Sequence, residues 1–85
     1  MSNNIRDTTR ALAAAKAILD GRNPSVDAGA ILVTAEHAFA TVLLALHGGD
    51  ARKAAAMLNE GLIPGIERRM AYYAAGGNGK AEYGL

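Results

Sequence analysis

Apolar positions recur at helical spacing along nearly the whole chain, and no stretch alternates apolar and polar residues for long enough to compete as a strand. Ile5, Leu12 and Leu19 fall seven residues apart, with Thr8 and Ala15 at the intervening positions and Arg6, Arg10 and Lys16 off that seam. The spacing predicts a first amphipathic helix from Ile5 to Leu19. Asn3 or Asn4 would cap its start, and Asp20-Gly21 would end it where a positive φ is tolerated.

The next element differs in kind. From Val26 to Leu46 the chain reads as an almost unbroken apolar helix with Glu36 and His37 at its middle, and the Asn23-Pro24-Ser25 loop that leads in offers Asn23 or Ser25 as a cap. Ala28, Ile31, Ala35, Phe39, Val42 and Leu46 form the primary core stripe, which leaves Leu32, Leu43 and Leu44 outside it. A helix apolar nearly all round is normally covered nearly all round, and three short helices of one chain cannot do that. The pattern therefore predicts a homo-oligomer, dimer or higher, formed through this helix or its Leu32, Leu43 and Leu44 flank. Thr34, His37 and Thr41 make a narrow polar seam, read either as a hydrogen-bond row facing a ligand or crossing between subunits, or with His37 as a satisfied interface or surface imidazole.

Asp50 is a good cap for a third helix, in which Ala51, Ala54, Ala55, Leu58 and Leu62 keep the spacing. Gly61-Leu62-Ile63-Pro64-Gly65 then interrupts it. An interior proline removes a donor and clashes with the carbonyl four residues back, at about 3 kcal/mol or more, so a kink or break is expected there. Ile66, Met70 and Tyr73 resume the pattern to about Ala75. The expected fold is all-α, a small three-helix bundle with a kinked or broken third helix. Residues 1–75 form a single helical domain, and 76–85 a flexible Gly-rich tail.

Composition sharpens the expectation of self-association. An 85-residue monomer buries only about 60 to 65% of its unfolded surface. Here the apolar half is mostly Ala, with one Phe and no Trp. A net charge of +1 is too weak for nonspecific binding of duplex nucleic acid. No Cys means no disulfide framework and no thiolate site. The chain does not open on a basic and then apolar leader, so a cytoplasmic protein is expected. Residues 28–46 are just long enough to span a bilayer, yet Glu36 and His37 fall at the middle, where an ionised group costs about 2.5 to 3.5 kcal/mol, which argues against a membrane partner.

Chemistry is sparse. No nucleophile is placed beside a base, so the chain does not read as an enzyme, and no cofactor is implied. His37 and His47 stand about 15 Å apart along one helix and cannot share a metal, and His47, just before Gly48-Gly49, suits the negative end of the helix dipole. The run Gly76-Gly77-Asn78-Gly79-Lys80 lacks the spacing and the following hydroxyl of a phosphate loop. One constellation remains. Arg68 with Tyr72, and Arg69 with Tyr73, are i, i+4 pairs that bring two guanidinium groups and two phenols onto adjacent ridges, a set able to grip a phosphate and stack a base.

Two readings emerge. The chain binds a small anionic, nucleotide-type ligand through Arg68, Arg69, Tyr72 and Tyr73, with His37 as a further candidate; alternatively, it is an interaction module that blocks or scaffolds a protein partner through a helical face. In size, helical content and lack of catalytic residues it resembles the small phage-encoded proteins that counter bacterial immunity. That resemblance implies sequestration of cyclic nucleotide signals or blockade of an immune complex. It carries over no individual residue.

Overall fold

The computed structural model describes residues 2–76, and the side chains of residues 6–76. Its helices are α1 (Ser2–Leu19), α2 (Ala28–Leu46), α3 (Ala51–Met57) and α4 (Ile63–Ala74), with a π-helical turn over Leu58–Leu62 that joins α3 to α4 into one third helical segment. No strand occurs among the described residues. The expected tail lies outside the described residues from Gly77 onward. The chain divides into two units, Met1–His37 and Ala38–Leu85.

In the first unit α1 already begins at Ser2, so Asn3 and Asn4 stand inside its first turn rather than at the cap. Its half-covered side chains are Leu12, Ala15 and Ile18, while Leu19 is exposed. The covered stripe thus keeps to a spacing of three and passes from Ile18 to Arg22, where the seven-residue spacing had placed Leu19. Asp20 and Gly21 both take positive φ, 50° and 67°, and reverse the chain. The half-buried Arg22 guanidinium then turns back on the helix that precedes it. Its Nε donates to the Leu19 carbonyl (3.1 Å) and its Nη2 to the Ile18 carbonyl, satisfying two acceptors that the helix end leaves over. The same Nη2 donates to Thr34 Oγ1 (3.2 Å), which itself donates to the Ala30 carbonyl (3.1 Å). One arginine therefore ties the end of α1 to α2.

Neither Asn23 nor Ser25 caps α2. Asn23 instead closes a single turn ahead of the helix: its Oδ1 accepts from the Ser25 amide (2.9 Å), and its carbonyl accepts from the amides of Val26 (3.1 Å) and Asp27 (2.8 Å). Asp27 holds the flanking position, its carbonyl accepting from the Ile31 amide (3.0 Å) and its carboxylate accepting from the Asn23 amide (3.3 Å). Pro24 suits the second position of such a turn because its φ is preset.

In the second unit α2 ends in a Schellman motif. Gly48 stands at φ 60°, the Gly49 amide donates to the Leu44 carbonyl (2.8 Å), and the Gly48 amide leans on Ala45 (3.5 Å). Asp50 then caps α3 as expected, Oδ1 accepting from the amides of Arg52 (3.0 Å) and Lys53 (3.1 Å). Leu43 and Ala54 are the buried hydrophobic residues. Leu43 thus belongs to the core of its own chain, whereas Phe39, Val42 and Leu46, expected inside, are exposed because they border an open groove.

The proline is accommodated without leaving helical backbone. Ile63 donates its amide to Leu58, five residues back, and Met57, Leu58, Leu62 and Ile63 all keep right-handed helical dihedrals. Pro64 sits in the first turn of α4, so the widened turn falls where an α-helix would have needed the missing donor. Asn59 Nδ2 donates to the Ala55 carbonyl (2.9 Å), a further side-chain bond at the disturbed ladder. The extra residue also shifts the phase of α4: Ile66 and Tyr73 are half-buried, but Met70 is exposed.

Candidate arginine and tyrosine site

Gly65, Arg68, Arg69, Tyr72 and Tyr73 occupy positions i, i+3, i+4, i+7 and i+8 of α4, so helical geometry alone gathers them on one side. They line a concavity of about 310 Å³. Gly65 is its floor: a Cβ there would meet nothing nearer than Arg68 Nη2 at 4.0 Å. The two phenol rings touch, with centroids 5.7 Å apart and planes tilted by 58°; Tyr72 is exposed and Tyr73 half-buried. Four of the five residues singled out from the sequence are thus brought together.

The electrostatics are simple. Both arginines are exposed, and among the described residues neither has an ion-pair or hydrogen-bond partner. The ion pair between described residues is Arg10 with Asp7, on α1 (3.9 Å). Two neighbouring cations without a counter-charge repel one another, and an anion placed between them relieves that repulsion while forming charge-assisted hydrogen bonds.

His37 is not among the lining residues of this concavity or the next, and it is exposed on α2 in the first unit. Of the polar seam to which it was assigned, Thr34 is spent on Arg22 and its own helix. His47, expected to face the carbonyls at the end of α2, has an Nε2 that is closed off from solvent without a hydrogen-bond partner. No group of three or more His, Asp or Glu among the described residues is placed to hold a metal ion.

A second concavity, of about 570 Å³, was not foreseen. Phe39, Val42, Leu43 and Leu46 of α2 form one wall, and Met57, Leu62 and Ile66 the other, with Gly61 and Gly65 between them. Its lining runs on along α4 to Arg68 and Arg69, so Gly65 and both arginines belong to the two concavities alike. Met57 packs over Gly61: a Cβ at that position would lie 2.8 Å from Met57 Sδ, so the flexible thioether would have to swing aside. The signal in the sequence was the pair of glycines flanking Pro64 at i, i+4, which reads equally well as a mere helix interruption.

No protein-family model, no curated protein and no solved structure matches the chain.

Proposed function

We propose that this protein is a non-enzymatic, cytoplasmic homo-oligomer that binds and sequesters a small anionic ligand of nucleotide type. The observation that carries this reading is the pair of guanidinium groups, without a partner among the described residues, beside two phenol rings in one concavity. A phosphate between Arg68 and Arg69 gains charge-assisted hydrogen bonds, and a base laid on Tyr72 gains about 1 to 3 kcal/mol of stacking, together enough for micromolar binding. Retention without turnover also agrees with the general resemblance to phage counter-defence proteins that take up cyclic nucleotide signals.

Self-association is part of the proposal. Leu32, Val33 and Leu44 of α2 are large apolar side chains exposed to solvent, and a second subunit covering them would remove that surface from water. Leu43 is excluded from that flank by its burial. The proposal also has the third helical segment bend at the π-turn, since a π-turn followed by proline is where helices change direction. α2 is long and apolar enough to cross a membrane by length and composition, but Glu36 and His37 at its middle favour a protein-covered setting.

Titration calorimetry with nucleoside monophosphates, cyclic mononucleotides and cyclic dinucleotides tests the site. Wild type should bind at least one class in the micromolar range, and Arg68→Ala or Tyr72→Ala should weaken that binding tenfold or more while leaving the far-ultraviolet dichroism unchanged. Binding unaffected by both substitutions would refute the assignment. The same apolar flank of α2 favours one second reading, an interaction module that blocks or scaffolds a protein partner. Under it, Leu44→Asp would abolish partner binding and the arginine substitutions would not.

A further inference from the structure

The two concavities meet at the same residues, and they differ in chemistry. On one side of Gly65 lie two arginines and two tyrosines; on the other lies a groove whose walls are aliphatic, aromatic and thioether side chains. Among the described residues lining either concavity, none is acidic. The groove volume falls within the range of small-molecule sites, about 300 to 1,000 Å³. Val42 and Leu46, 53% and 68% exposed, keep its mouth open to solvent.

We infer that this site takes, besides nucleotides, a single-chain anionic amphiphile: a phosphorylated head held by Arg68 and Arg69, and an alkyl or other flexible apolar chain laid in the groove between α2 and the π-turn. This rests on the reading that the arginines take an anion, and extends it by naming what is attached to that anion. Charge complementarity fixes the orientation. A cationic head would face two guanidinium groups, and an uncharged chain would leave them as unpaired as before. The head and the start of the chain both pass Gly65, where the absent side chain leaves clearance.

Calorimetry on the full chain with a series of alkyl phosphates, ethyl to dodecyl and each below its micelle concentration, tests the inference. Inorganic phosphate and dodecyltrimethylammonium serve as comparison ligands. Affinity should rise about two- to fourfold per added methylene until the groove is full, since transfer of each buried methylene is worth up to about a factor of four. Val42→Asp, at an exposed groove position, should flatten that dependence while the far-ultraviolet dichroism stays that of wild type. The double variant Arg68→Ala, Arg69→Ala should lose at least tenfold for every phosphate. If ethyl phosphate binds through the arginines but longer chains bind no better, the amphiphile is wrong and the anion site stands. If chain length matters but the arginines do not, or if dodecyltrimethylammonium binds as tightly as dodecyl phosphate, the shared site is wrong. If ethyl phosphate and the nucleotides all fail to bind, both readings fall together.

Discussion

Leu43 and Leu46 lie one turn apart on α2, line the same groove and carry the same side chain, yet the first is 7% exposed and the second 68%. Truncation to Ala removes three carbon groups from each, worth roughly 2.4 kcal/mol of transfer free energy when fully covered. Scaled by the covered fraction, Leu43→Ala should cost about 2.2 kcal/mol and Leu46→Ala about 0.8 kcal/mol. Larger losses in closed cores include a term for the cavity left behind. That term should be small here, because Leu43 borders a groove open to solvent. The gap of roughly 1.4 kcal/mol corresponds to a difference in Tm of about 6 to 11 °C for a chain of this length. Urea unfolding monitored by far-ultraviolet dichroism, over a hundredfold range of protein concentration, measures both variants. If Leu46→Ala costs as much as Leu43→Ala at every concentration, the burial argument is refuted. If the two costs converge only at high concentration, Leu46 is covered by a second subunit.

Other variants probe the connections. Arg22→Ala strips two carbonyls of α1 and Thr34 of a charged donor, and should lower stability by about 1 to 2 kcal/mol in the same urea assay, a cost that Arg22→Lys recovers only in part because lysine lacks the fork that reaches Ile18, Leu19 and Thr34 together. Gly48→Ala forces a Cβ into the left-handed region with no steric neighbour to blame, and should cost about 1 to 2 kcal/mol; a melting temperature equal to wild type would count against the Schellman end of α2. His47→Phe removes an enclosed nitrogen that has no partner and should raise stability by about 1 kcal/mol, visible as a higher Tm; a loss matched by His47→Leu would count against the unpartnered nitrogen.

The local sequence determined those features whose causes are local. Helical spacing specified helices throughout the described residues, Asp50 announced the start of α3, Asp20-Gly21 and Gly48-Gly49 marked helix ends, and the i, i+4 pattern of Arg68, Arg69, Tyr72 and Tyr73 placed four side chains on one helical face. Each depends on dihedral preference or on a repeat of 3.6 residues, and both can be read from a few neighbours. Which apolar face is covered was decided elsewhere. In a helix as uniformly apolar as α2, periodicity cannot choose between Leu43 and the Phe39, Val42 and Leu46 stripe, because every face satisfies the pattern. The choice falls to whatever the rest of the chain can reach, and the short, alanine-rich α3 covers little. Likewise Pro64 predicted a disturbance, but whether the backbone breaks or widens depends on whether Ile63 can find a carbonyl five residues back. The groove, and the sharing of Gly65 and two arginines between it and the tyrosine concavity, arise from packing between separate elements, and such contacts leave no period in the sequence.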